Sequence, residues 1–260
     1  MVAQHLKGKD NPQFVNRVGE TFVNKQGEKF TIIDCDGFSK CHIKFEDGTI
    51  LYNRVYSKLK EGKAKNPNFP TVYGVGIIGQ GKHKCGSEGK VLKKYSCWNS
   101  ILFRSYSEKH HIKYPTYKDV TVCEEWKYFQ NFGDWFEENW KLYMDNTWHL
   151  DKDILIKGNK IYSPETCCFV PREINGLFTN NSVKRGLYPI GVVKEGNKFR
   201  AQSCSNKRRY IGTFDTPKEA FEVYKTAKEQ YIKEVADKWK DLIDPRVYEA
   251  MYNYKIEITD

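Results

Sequence analysis

The chain has 260 residues, and 43 Lys+Arg against 33 Asp+Glu give it a formal net charge of +10. Aromatic residues make up 15% of the sequence, enough to build hydrophobic cores, which excludes a wholly disordered chain. No apolar run approaches the ~20 residues of a membrane span, and Met1–Asp10 lacks the apolar core of a signal peptide. The expectation is a cytoplasmic protein with no membrane partner, whose positive field attracts polyanions.

Residues 1–13 read as a tail. Residues 14–66 predict a small, highly twisted β-unit of barrel type, with strands Thr21–Val23, Lys29–Asp34, Cys41–Phe45 and Thr49–Tyr52. Gln26-Gly27, Asp36-Gly37 and Asp47-Gly48 supply the turns. Phe22, Phe30, Ile32, Ile43 and Phe45 are its expected core. Arg54, Lys58, Lys60, Lys63 and Lys65 form a basic, non-helical cluster leading into a Gly/Pro/Lys-rich connector over 67–94. That connector contains Gly74-Val75-Gly76-Ile77-Ile78-Gly79. The glycine spacing matches a dinucleotide fingerprint, but no βαβ unit surrounds it and the sequence that follows is polar and glycine-rich, so that reading is rejected.

From 95 to 145 the chain reads helical. Trp98, Ile101 and Leu102 start one segment, and Val122, Trp126, Phe129, Phe136 and Trp140 recur at helical spacing after Pro115. His110 and His111 fall in the polar loop between. The eight cysteines contain no C-x-x-C pair and no zinc-finger spacing, so reduced, mostly buried thiols are expected; Cys123 and Cys167 are a pair able to meet in space.

Taken alone, Asp151, Asn159 and Ser163 are turn and cap residues. The surrounding segment, Leu150-Asp151-Lys152-Asp153-Ile154 through Gly158-Asn159-Lys160-Ile161-Tyr162-Ser163-Pro164-Glu165-Thr166-Cys167-Cys168-Phe169-Val170, also resembles the ββα-metal core of phage HNH-type homing endonucleases and their degenerate relatives. The helix expected over Val122–Trp126 is similar to the flank of such proteins, which places an HNH-like core at 95–178. The resemblance implies Asp151 as metal ligand for magnesium or manganese, Asn159 as framework residue, Lys152 at the general-base position and Thr166 at a second ligand position on a helix. A histidine must deprotonate the attacking water in this chemistry. A lysine at neutral pH is protonated, and threonine is a poor metal ligand, so the centre is degenerate. His149 lies two residues before Asp151 and projects to the same strand face, which makes it the local candidate for a rescued base.

Residues 187–260 predict three strands and a helix. The strands are Tyr188–Val193, Lys198–Cys204 and Arg209–Phe214. Along the middle one Phe199, Ala201 and Ser203 point one way, and Lys198, Arg200 and Gln202 the other. Thr216-Pro217-Lys218-Glu219 places a hydroxyl at the N-cap, proline at the first helical position and glutamate where it closes a capping box. Ala220, Tyr224, Ala227, Tyr231 and Val235 then form a stripe able to cover the apolar face of the sheet. Asp244-Pro245 caps a last helix. Tyr188-Pro189-Ile190-Gly191-Val192, Lys198-Phe199-Arg200-Ala201, Tyr210-Ile211-Gly212-Thr213-Phe214 and Glu219-Ala220-Phe221 resemble the plant ethylene-response-factor type of DNA-binding domain. In that family the sheet enters the major groove, which implies a DNA face of Lys198, Arg200, Gln202, Arg208, Arg209 and Tyr210. Ile190, Val193 and Cys204 replace base-reading arginines, so the plant-type sequence specificity is not implied.

The expected fold is a modular α+β chain: small N-terminal β-barrel, helical/ββα HNH-like core, and C-terminal three-stranded sheet plus helix. The expected function is double-stranded DNA binding by a phage-type protein derived from homing endonucleases, with weak or no nuclease activity. The alternatives are an active metal-dependent endonuclease or nickase, using Asp151 with His149 or the His110-His111 pair, and a phage effector that binds a host protein.

Overall fold

The structure is a computed structural model that describes residues 14–178, 187–202 and 210–260. It mixes helices with several small sheets and contains no closed barrel. None of its described helices is long and apolar enough to cross a membrane. The chain divides into two compact units, one of residues 1–83 with 128–130 and one of residues 84–127 with 131–260.

The first unit is built on four antiparallel strands in sequential order: β1 Thr21–Val23, β2 Lys29–Cys35, β3 Lys40–Phe45 and β4 Ile50–Val55. The turns lie where glycine takes positive φ, at Gly27, Gly37 and Gly48. Phe30, Ile32, Ile43 and Phe45 are buried and Phe22 half-buried, as the alternation requires. The expected barrel is not formed. β1 is three residues long and pairs only with β2, so the sheet stays open at β1 and β4. The basic cluster is also not entirely irregular, because Tyr56–Lys60 forms a short helix, α1, whose Leu59 joins the core. Asn66 donates to Glu28 at 2.7 Å and to Asp47 at 2.9 Å, tying the chain after α1 to two turns of the sheet.

The second unit begins with the two-residue strands β5 Gly86–Ser87 and β6 Lys90–Val91. Helices α2 Lys93–Tyr106 and α3 Glu108–Lys113 follow. The expected helix over Val122–Trp126 is replaced by strand β7 Thr121–Val122 and a 3-10 turn at Glu125–Lys127. Strand β9, Ile161–Tyr162, pairs with β7 in parallel and captures its backbone groups. The regular helix of this region, α4, spans Phe129–Asn139. Val122, Trp126, Phe129 and Phe136 are nonetheless buried, so the aromatic stripe marks the core although only part of it is helical. The Trp98 indole donates to the Trp126 carbonyl at 2.7 Å, locking α2 to this turn.

Strands β8 Trp148–Asp151 and β10 Cys168–Pro171 pair antiparallel, with Asp151 opposite Cys168 and Val170 opposite His149. Helix α5, Arg172–Leu177, follows directly and packs on both. The C-terminal sheet is β11 Val192–Glu195, β12 Lys198–Ala201 and β13 Gly212–Phe214 in sequential antiparallel order. β11 starts later than the hydrophobic run suggests, because Pro189 accepts from the Val192 amide in a turn through Gly191, whose φ is +76°. The 23-residue helix α6, Pro217–Trp239, covers one face of this sheet. Its capping box is complete in both directions. Ala220, Tyr224 and Val235 of the expected stripe are buried, Ala227 and Tyr231 half-buried, and Phe221, Ile232 and Ala236 join them. Helix α7, Pro245–Tyr252, is capped by Asp244 and docks back on α6, where Tyr248 donates to Asp237 at 2.9 Å.

Two substitutions test this packing. A Cβ at Gly191 would sit 2.2 Å from the Tyr224 ring on a left-handed backbone, so Gly191→Ala should lower the thermal midpoint. Thr216→Ala should cost about 1 kcal/mol in denaturant unfolding through loss of the cap. A Gly191→Ala protein as stable as the parent would show that the ring does not seat there.

Candidate functional site

Two regions hold the sequence-predicted site residues, and both lie in the second unit. On the C-terminal sheet, the register aligns Val193, Arg200 and Thr213 in one row across the three strands, and Lys194, Phe199 and Phe214 in the next. Successive rows face opposite sides of the sheet. Ala201 is buried on the helix side, whereas Phe199 and Phe214 are only half-buried, less than the alternation predicts. Lys198, Arg200 and Gln202 fall on the face that α6 leaves open. Two of these cations have acidic neighbours: Lys198 Nζ lies 3.1 Å from Asp215, and Arg200 Nε lies 3.7 Å from Glu195, beyond hydrogen-bond reach. The side chains of both pairs are partly exposed, so the ion pairs are weak, although Arg200 Nε itself is buried without a hydrogen-bond partner. Tyr210 is 71% exposed, and its hydroxyl shares a hydrogen bond with Thr213 Oγ1 at 2.8 Å. Arg208 and Arg209 lie outside the described residues.

The second region is the β8–β10 hairpin with α5. Asp151 closes β8, and its Oδ1 accepts from the amides of Asp153 at 2.7 Å and Ile154 at 2.8 Å. Burial holds its carboxyl above the usual carboxylate range, and those two hydrogen bonds offset only part of the effect. Lys152 is buried, with Nζ 2.5 Å from Asp153 Oδ1 and 2.8 Å from the Asn159 carbonyl. Its ammonium therefore pairs with Asp153. Asn159 returns the contact by donating to the Lys152 carbonyl at 2.8 Å and to Ile161 O at 2.7 Å. It staples the loop that carries Lys152 through the backbone.

Thr166 is not on a helix. Its Oγ1 donates to Ile161 O at 2.8 Å inside the turn Ser163–Cys167, and the apolar run after it forms β10 instead. The helix follows only at Arg172, after Pro171 at its N-cap. His149 is exposed on β8, and its imidazole is held below its ordinary value by partial desolvation and by the nearby cations Lys93, Arg104 and Arg172. Those three cations carried no signal in the sequence, since they come from α2 and from the start of α5.

His110 and His111 sit in helix α3 rather than in a loop. The His110 ring lies 4.8–5.0 Å from the rings of Phe103, Tyr114 and Tyr117. His111 Nε2 is 2.9 Å from the Arg104 carbonyl. Both rings are thus engaged locally. The seven described cysteines are unbonded; Cys41, Cys167 and Cys168 are buried and the other four half-buried. Among the described residues no group of three or more His, Cys, Asp or Glu side chains is arranged to hold a metal ion.

Comparisons with protein families, with curated proteins and with solved structures found no match.

The raised carboxyl of Asp151 has a definite sign in stability. A carboxyl with a raised folded pKa contributes stability below its unfolded value, and that stability is lost as pH rises through the folded value. Asp151→Asn keeps the acceptor oxygen and removes the charge. It should therefore unfold at a higher temperature than the parent at neutral pH, with the gap closing as pH falls to about 4. Thermal scans across that range check this; a variant less stable at pH 7 would show that the charge itself is stabilising.

Proposed function

We propose that the chain binds double-stranded DNA through the open face of its three-stranded sheet, on a scaffold descended from HNH homing endonucleases and with little or no cleavage activity. The observation that carries this reading is the one-sided covering of the sheet. Helix α6 buries Val192 and Ala201 from one side, and Lys198, Arg200 and Gln202 are left on the other. A short β-ribbon of this size fits the major groove, and the exposed carboxylates beside Lys198 and Arg200 are displaceable by phosphate. The net charge of +10 adds long-range attraction.

The hairpin supports weak or absent catalysis. Lys152 at the base position is held by Asp153 and the Asn159 carbonyl, and the Asp151 carboxylate is engaged by two backbone amides. If a magnesium or manganese ion binds here, Asp151 is the residue that would hold it. A second reading, an active nickase, is favoured by His149 alone: it is exposed, kept neutral, and on the strand face of Asp151.

Duplex binding should weaken by ~10³-fold between low and moderate salt for ~6 phosphate contacts. Replacing Lys198 and Arg200 together by alanine should reduce affinity at fixed salt while leaving the unfolding midpoint unchanged. Mobility shifts on random duplex pools measure both, and unaltered affinity in the double variant would place the contact surface elsewhere. Supercoiled plasmid incubated with magnesium or manganese should stay intact; nicking abolished by His149→Ala would establish the second reading.

A further inference from the structure

We propose that Cys35 and Cys41 form a reversible cross-strand disulfide site in the N-terminal sheet, taking low-molecular-weight disulfides such as oxidised glutathione as its oxidant. This site lies outside the DNA-binding reading and does not rest on it. The two residues are directly opposite across β2 and β3, and their Sγ atoms are 2.6 Å apart. Neither is bonded to another cysteine.

The hairpin geometry explains the approach. Asp36 donates its amide to the Lys40 carbonyl at 2.9 Å, so 36 and 40 are a hydrogen-bonded pair. Antiparallel pairs alternate, which makes Cys35 and Cys41 a non-hydrogen-bonded pair with Cα atoms about 4.5 Å apart, inside the span that a disulfide bridges. The turn is fixed independently. Asp36 Oδ1 accepts from the amides of Phe38, Ser39 and Lys40 at 2.8, 2.9 and 3.0 Å, and Gly37 takes φ +77°. A register shift between Ile32 and Asp34 turns Cys35 toward the same core that encloses Cys41. The thiols therefore meet without any movement of the strands.

The two sulfurs have different environments, and this sets their order of reaction. Cys35 is half-buried, with the Arg17 guanidinium beside it, so it is the sulfur that solvent and a small disulfide can reach. Cys41 is fully enclosed, and burial pushes its thiol up to about 12. Cys35 is thus the attacking group. Its proton goes to solvent, its sulfur bonds to one sulfur of the oxidant, and one small thiolate leaves. Cys41 then gives its proton to solvent and attacks Cys35 Sγ, expelling the second small thiolate. Two protein thiols are oxidised, and one disulfide is reduced to two thiols. Cys167 and Cys168 are the contrasting case: both are buried, Cys167 closing a turn and Cys168 opening β10.

The test uses the full chain, treated with oxidised glutathione and then with dithiothreitol. Intact mass should fall by about 2 Da on oxidation and recover on reduction. Trypsin cuts after Lys40, so the link should appear as the peptide ending at Lys40 joined to the one beginning at Cys41. Cys41→Ser should instead accumulate the glutathione adduct on Cys35, and Cys35→Ser should block the link. The proposal is overturned if the parent holds a stable glutathione adduct at Cys35, if the crosslink joins other cysteines, or if neither thiol reacts.

Discussion

The contact on which the larger unit depends is the burial of helix α6 along two separate partners. At about 1.5 Å per residue a helix of this size is ~35 Å long, enough to cover a small sheet with one end and reach a second element with the other. Its first turns place Ala220, Phe221 and Tyr224 on the three-stranded sheet. Its last turns bring Trp239 edge-on to Trp148 at 6.0 Å, and Lys238 with the Trp239 indole onto Glu173 of α5. Packing against a helix is one way a sheet this small gains stability. Here it is the same helix that reaches the β8–β10 hairpin and α5, so the open sheet face and the hairpin share one support.

One-sided covering leaves polar and charged groups on the far face of the sheet. Lys198 and Arg200, on the face away from the buried Val192 and Ala201, have the exposed carboxylates of Asp215 and Glu195 beside them. Such pairs contribute little to stability, which leaves them free to be exchanged for another anion. The hairpin shows the opposite economy. Lys152 is buried, and desolvating an ammonium is costly unless its donors are met. Asp153 and the Asn159 carbonyl meet them, so this side chain holds the loop after β8 together. The Asp151 carboxylate likewise shapes the turn after β8.

The N-terminal sheet follows simpler rules. Its strands were legible because alternating Phe30, Ile32, Ile43 and Phe45 are separated by turns with glycine at the required positions. What remained hidden was closure: β1 pairs with β2 alone and β4 with β3 alone, and only the assembled sheet shows that both edges stay open. The thiol contact was hidden for a related reason. Cys35 and Cys41 are six positions apart, and nothing in that spacing says that a register shift at Ile32 turns both toward one core.

Along the rest of the chain, the features the sequence determined were those set within a few residues. Thr216, Pro217 and Glu219 marked the start of α6, Asp244 and Pro245 that of α7, and the alternation along Lys198–Ala201 assigned the faces of the middle strand. Caps, turns and periodicity act through neighbours in the chain, so they can be read from neighbours. Tertiary structure decided everything that required distant segments to compete for the same backbone groups or the same buried volume. Val122 was drawn from a helical pattern into a parallel pairing with Tyr162, and His110 was taken from a polar loop into a nest of aromatic rings. Lys152 was given Asp153 and the Asn159 carbonyl, and His149 came under the field of cations from α2 and α5. Long-range pairing and desolvation fix these outcomes, and neither is encoded in any single window of sequence.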